Sequence, residues 1–382
     1  MSATSPWETD ERRALRALVA EFTGKEIVPH LADWERDGEV PRSLHRAAAE
    51  VGLLGAGFAE EVGGSGGDAV DAFLVAEQMI LSGGSGGLVA ALFTHGIALP
   101  HIVVSGDADL IDRFVRPTLA GELIGSLAIT EPGGGSDVAG IRTRAVRDGE
   151  EYVVDGAKLY ITSGVRADFV TTAVRTGGAG HGGVSLLVVE RGTPGFSVSR
   201  ALDKMGWRCS DTAELSYTGA RVPVGNLVGG EGTGFVRIAQ QFQGERLSLA
   251  VQACATAQRC FDLTMRWIRE RETFGRPLAS RQVVRHRMAE MARQIDVART
   301  YTRAVTDRWL ADGGMLTETA MAKNTAVAAC DHVVGECVQL LGGLGYMREH
   351  EVERHYRDAR LLSIGGGTTE IMNEIIVRSL GL

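Results

Sequence analysis

The period of the apolar positions changes twice along the chain, and the changes divide it into three parts. Leu15, Leu18, Val19 and Phe22 fall at i, i+3, i+4 and i+7, which predicts a helix with one buried face. Pro41 suits the first turn of a second helix carrying Leu44, Ala48 and Val51. Glycine-rich loops at 63–67 and 82–87 interrupt further apolar runs, which stay helical to about residue 120. Near residue 125 the pattern turns to β. Tyr152, Val153 and Val154 precede Asp155-Gly156, and 158–162 follow, which predicts a hairpin turning at Asp155-Gly156. Strands are expected at 169–174, 184–189, 196–199 and 213–217 as well. After Gly230 long helices return, over 234–269 and 317–341, with a short last one over 369–380. Between them Val284, Met288, Met291, Ile295, Ala298, Thr302, Val305 and Trp309 alternate steps of four and three, close to a bundle seam. The predicted architecture is multidomain α+β. An α-helical domain covers 1–124, an antiparallel β domain (barrel or sandwich) 125–230, and a helical bundle 231–382.

A chain of 382 residues exceeds one ordinary core, which agrees with three packed regions. The net charge of −8, with no block of Lys and Arg, excludes a nucleic-acid binder. No run of eighteen consecutive apolar residues predicts a spanning helix. The opening segment, with Glu8, Asp10 and Glu11, matches neither a secretory signal nor an Arg-rich transit peptide. The expectation is a cytoplasmic protein with no membrane partner. Cys209, Cys254, Cys260, Cys330 and Cys337 are odd in number and form no C-x-x-C pair, so they read as reduced, packed thiols. His350 and His355 stand five apart, on different sides of a helix, and no metal site is expected. His181 reads as a solvated residue of the glycine-rich loop 176–183.

Fifty glycines invite a nucleotide-loop reading, but no G-x-x-x-x-G-K-[ST] occurs, and no G-x-G-x-x-G follows a strand in a βαβ unit. Gly230-x-Gly232-x-Gly234 reads as a loop into the bundle. Strands cluster in the middle instead of alternating with helices, which disfavours a Rossmann domain.

Two features carry chemistry. The segment Thr130-Glu131-Pro132-Gly133-Gly134-Gly135-Ser136-Asp137 offers hydroxyls and bare glycine amides in a turn, suited to an anion or a flavin. On the long helix after Gly234, Ile238, Phe242, Glu245 and Leu249 share one face, so a carboxylate interrupts an apolar stripe. Such a carboxylate is either a proton acceptor with a raised pKa or the partner of a cation such as Arg246.

Beyond these two features, the chain resembles acyl-CoA dehydrogenases over nearly its whole length. The segments that carry the resemblance are 128–137 (AITEPGGGSD), 158–164 (KLYITSG), 210–215 (SDTAEL) and 271–275 (RETFG), then 339–346 (QLLGGLGY), 353–359 (ERHYRDA) and 367–371 (GTTEI), in the family's order. The resemblance implies an N-terminal helical domain, a middle β-barrel and a C-terminal four-helix bundle, with FAD as cofactor. It implies that Thr130 and Thr162 meet the isoalloxazine, with Ile129 and Gly135 beside it, Ser136 the pyrophosphate region, and Tyr160 flanks the ring. Arg271, Phe274 and Gln282 would serve the FAD of a neighbouring subunit, with Gln339 and Gly343 nearby, in a homotetramer that is a dimer of dimers. Thr368 and Glu370 would also touch FAD.

Many members place the base two residues before the threonine of the Gly-Thr pair; here that residue is Gly366. The long-chain and isovaleryl types carry a Glu-Arg pair on the long helix instead. The segment Gln243-Gly244-Glu245-Arg246-Leu247 matches that placement, which assigns the base to Glu245 and leaves the Gly366 N–H as enolate donor with a flavin ribityl hydroxyl. Ser136, Gln243, Arg246, Gly367 and Arg378 would meet the substrate, an acyl thioester on CoA or an acyl carrier protein. An electron-transfer flavoprotein would reoxidise the flavin. A flavin monooxygenase or oxidase on the same fold, and a catalytically silent scaffold, are the alternatives.

Overall fold

The computed structural model describes residues 6–382; residues 1–5, the start of the opening segment considered above, lie outside it. Helices fill the first third: α1 (Asp10–Phe22), α2 (Leu31–Asp37), α3 (Arg42–Glu50), α4 (Ala69–Leu81), α5 (Gly86–Phe93), α6 (His95–Ser105) and the short α7 (Ala108–Leu110) and α8 (Arg116–Leu119). Side chains cap several starts, as Thr9 does for α1, Asp68 for α4 and Ser85 for α5. α1 lies on α4, and the predicted stripe is buried at Val19 and Phe22.

The middle third is one curled seven-stranded sheet: β1 (Gly125–Ala128), β2 (Arg144–Asp148), β3 (Glu151–Thr162), β4 (Phe169–Arg175), β5 (Val184–Glu190), β6 (Phe196–Ala201) and β7 (Thr212–Pro223). The order is β1-β4-β2-β3-β7-β6, with β5 on β4. Most pairs are antiparallel; β1 and β2 meet β4 in parallel.

The expected hairpin at Asp155-Gly156 does not form. The chain turns instead after Asp148, where Gly149 has φ +63°, and β3 runs through Asp155 without a break. Gly156 marks a register shift against β7. A Cβ there would stand 2.6 Å from Thr143 Oγ1, so this glycine answers a close approach and a bulge, not a turn.

The last third holds α9 (Gly234–Glu270), a small hairpin of β8 (Glu272–Thr273) and β9 (Arg276–Pro277), then α10 (Gln282–Asp312), α11 (Leu316–Leu341), α12 (Glu351–Ala359) and α13 (Thr369–Ser379). α9, α10 and α11 pack on one another, and α12 and α13 close against α11. The seam predicted on α10 is buried from Val284 to Val305. α12 escaped the pattern reading because its sequence EVERHYRDA offers few apolar residues; its buried face is Val352, His355, Asp358 and Ala359.

Two stretches, Gly86–Ser105 and Leu316–Tyr346, are long and apolar enough by composition to cross a bilayer. Counting consecutive apolar residues missed them. The first is interrupted at Thr94 between α5 and α6, and both pack against α9. All five cysteines are buried and free.

Candidate active site

A cavity of about 1620 Å³ opens where the three regions meet. This exceeds the roughly 300–1,000 Å³ of ordinary ligand pockets, so it has room for more than one small ligand. One apolar arm runs between α4 and α5, past Phe73, Ala76, Val89 and Phe93. The opposite wall is the turn from Ile129 to Ala139, the end of β3, and the first turns of α9.

Along α9, Ile238, Phe242, Glu245 and Leu249 all line the cavity, as their spacing predicts. Glu245 is half-buried and, among the described residues, its carboxylate has no hydrogen bond or ion pair. Burial raises its pKa, and the nearby positive charges of Arg246 and Lys323 oppose that rise. The alternative in which Arg246 simply pairs with Glu245 is therefore not what forms. Arg246 is buried and donates from Nε to Gly366 O at 3.2 Å. Among the described residues its buried Nη1 has no partner, a donor left over for a ligand.

Facing Glu245 is the turn that links α12 to α13. Gly366 has φ +64° and Gly367 φ +95°, both left-handed. A Cβ at Gly366 would stand 2.6 Å from Leu249 Cδ1, and one at Gly367 2.7 Å from Met372 Cε. The Gly366 N–H has no backbone acceptor among the described residues. From α11, Lys323 Nζ reaches Gly365 O at 2.5 Å and also bonds Gly367 O. Burial lowers the Lys323 pKa to about 8.

Across the cavity, the turn after β1 is fixed by a buried ion pair. Lys158 Nζ donates to Glu131 Oε1 at 2.9 Å and to Ile129 O at 3.0 Å. The same carboxylate accepts the Arg142 and Thr143 backbone N–H groups. Burial pulls the Lys158 pKa down to about 8, while Glu131, held by these donors against its own desolvation, is lowered; the pair stays charged at neutral pH. Two residues on, β3 shifts register between Lys158 and Ile161, and Tyr160 takes φ +62°. The bulge turns the Tyr160 side chain out to 66% exposure on the cavity wall.

The structure sorts the other expected site residues into two groups. Ile129, Thr130, Gly135, Ser136, Tyr160, Thr162, Gly366, Gly367, Thr368 and Arg378 join Glu245 and Arg246 around the cavity. The hydroxyls of Thr130, Ser136 and Thr162 make no hydrogen bond within the described chain, which suits a polar ligand. Thr368 also caps α13 through Ile371 N. Arg271, Phe274, Gln282, Gln339 and Gly343 lie elsewhere, on the exposed bundle surface, with Phe274 97% exposed. Glu370 is exposed too. Gln243 does not line the cavity, and its Oε1 is buried without a partner.

Sequence reasoning missed Lys323, Glu131 and Lys158 as site-forming residues. It also missed His101, which lines the cavity with neither ring nitrogen partnered and a pKa lowered to about 4 by burial.

Comparison with known proteins identifies the family. Profiles described as the N-terminal, middle and C-terminal domains of acyl-CoA dehydrogenase match residues 9–122, 126–220 and 232–381. The long-chain specific acyl-CoA dehydrogenase of Sus scrofa mitochondria is 37% identical over 376 residues, 97% of this chain and 87% of that protein. A crystal structure of a probable acyl CoA dehydrogenase from Mycobacterium abscessus is 67% identical, with a TM-score of 0.97 over 98% of this chain and 100% of that one. A glutaryl-CoA dehydrogenase from Mycobacterium smegmatis, solved in complex with FADH2, is 26% identical, with a TM-score of 0.91 over 98% and 95% of the two chains.

Proposed function

Because the chain belongs to the acyl-CoA dehydrogenase family, we propose that it desaturates the α,β carbons of an acyl thioester with Glu245 as base, giving the trans-2-enoyl product. The observation that carries this reading is the pairing of an unpartnered carboxylate on an apolar helix face with a free glycine N–H across from it.

FAD is the cofactor of the family, and when bound it supplies the hydride acceptor for the β carbon. The unengaged hydroxyls of Thr130, Ser136 and Thr162 and the exposed ring of Tyr160 fit a flavin along one wall.

Glu245 receives the α proton on its carboxylate. Its raised pKa brings it nearer to that of the proton it must take, which improves a base provided it stays ionised. Charge building on the thioester oxygen needs a donor, and the Gly366 N–H offers one from backbone, so loss of a side chain there removes nothing from that role. Arg246, with one free buried donor, and Arg378 suit the polar carrier portion of the thioester. The apolar arm past Phe73 and Phe93 suits the acyl chain and excludes water.

Assembly and reoxidation extend the reading. Phe274, Arg271 and Gln282 lie on a surface away from this chain's own cavity, which supports service to a neighbouring subunit's FAD in a homotetramer. An electron-transfer flavoprotein is the proposed acceptor.

Anaerobic flavin spectra test the reaction class. With an acyl thioester alone the holoenzyme's flavin should bleach; a requirement for an external reductant would instead identify a monooxygenase.

A further inference from the structure

Three consecutive carbonyls of the turn at Gly366 are each held by a cation. Lys323 Nζ bonds Gly365 O at 2.5 Å and Gly367 O, and Arg246 Nε bonds Gly366 O at 3.2 Å. Lys323 is 1% exposed and, among the described residues, forms no ion pair within 4 Å. An ammonium so buried is costly without compensation, and two carbonyl dipoles supply only part of it. Among the described residues, the carboxylate whose charge favours the protonated lysine is Glu245.

The bonding pattern fixes more than the backbone path. In a trans peptide the C=O and the following N–H point in opposite directions. With Gly365 C=O aimed at Lys323, the Gly366 N–H is aimed away from α11, towards the cavity. The left-handed φ of Gly366 and Gly367 lets both carbonyls reach one ammonium.

We propose that Lys323 is a positioning residue for the desaturation: by holding the Gly365 and Gly367 carbonyls it aims the Gly366 N–H into the cavity that Glu245 lines. The inference rests on the reading of Glu245 as base. Other charged groups around the cavity are accounted for. Arg246 acts on Glu245 from the same helix. α13 contributes Glu374 and Arg378, and the preceding turn Arg360. Asp137, Asp203, Lys204, Arg357 and the Lys158-bound Glu131 line other walls, with His95, His101 and His181. Of these groups, Arg246 and Lys323 are the ones whose charge favours the Glu245 anion. A lysine pKa near 8 leaves the cation in place at neutral pH.

The test uses holoenzyme with Lys323→Met, Lys323→Gln and Lys323→Arg, alongside Glu245→Gln. Gln removes the charge but still offers a polar amide N–H, one bond shorter than the lysine, so it decides the matter should the Met variant fold poorly. The readouts are the pH dependence of anaerobic flavin reduction and an infrared titration of the carboxylic-acid band that Glu245→Gln abolishes. In the Met and Gln variants flavin reduction should slow roughly tenfold or more, as misaiming an oxyanion donor predicts, and the Glu245 titration should move up, as loss of an opposite charge predicts. Lys323→Arg should stay close to wild type. Unslowed flavin reduction with an unmoved band in a folded, FAD-loaded Gln variant would overturn the inference while Glu245→Gln remained inactive. If Glu245→Gln itself reduced flavin normally, the underlying reading of the base would fall instead.

Discussion

Glu245 Oε1 lies 3.5 Å from the point where a Cβ at Gly366 would stand. Two positions far apart in sequence therefore address one spot in the cavity, and a carboxylate from either could serve a substrate held there. The chain uses the helix and leaves the turn bare.

Moving the base back to the turn should not be simple here. Gly366 is left-handed, and its Cβ would press on Leu249 Cδ1 at 2.6 Å. Glu245→Gln with Gly366→Glu should remain close to the activity of Glu245→Gln alone. Adding Leu249→Ala, which clears that methyl, should recover a measurable fraction of flavin reduction. Equal rescue with and without the Leu249 change would contradict the packing argument.

Glu245 should also cost stability. Its folded pKa is raised above the unfolded value, so its favourable contribution exists at low pH and is lost as pH rises through the folded value. At neutral pH the ionised carboxylate is a net burden. Glu245→Gln should therefore unfold at a higher urea midpoint than wild type at pH 7, and the difference should shrink as the pH falls below the ordinary glutamate range.

The exposed ring at Phe274, φ +52° and 97% accessible, is an unfavourable way to end a hairpin unless something covers it. Phe274→Ala should lower FAD occupancy of purified protein and weaken subunit association in light scattering. A stable wild-type monomer with full flavin content would remove the case for a shared site.

The sequence disclosed what depends on local periodicity. The α10 seam and the face of α9 that carries Glu245 follow from steps of three and four, because a helix repeats its environment every turn. Contacts between distant segments left weaker traces. Lys323 sits in an alanine-rich helix, and nothing in MAKNTAV says that its ammonium meets a glycine turn 42 residues away. Lys158 carries no local sign of its role in the run 158–162, since its partner Glu131 lies 27 residues back in sequence. Asp155-Gly156 misled because the same dipeptide serves tight turns and bulges, and only the neighbour Thr143 decides between them. Gly366, by contrast, is legible as an absence: a glycine where many relatives carry a base leaves the carboxylate on α9 as the candidate.

The account turns on whether Glu245 takes the α proton, and the rate of anaerobic flavin reduction by a saturating acyl thioester in Glu245→Gln measures this most directly. Gln preserves shape and can still hydrogen-bond, so FAD content and thioester affinity should change little. The reduction rate should fall on the order of 10²–10⁴-fold or more, the loss expected for a positioned general base. A Glu245→Gln enzyme that reduces its flavin at close to the wild-type rate would contradict the account.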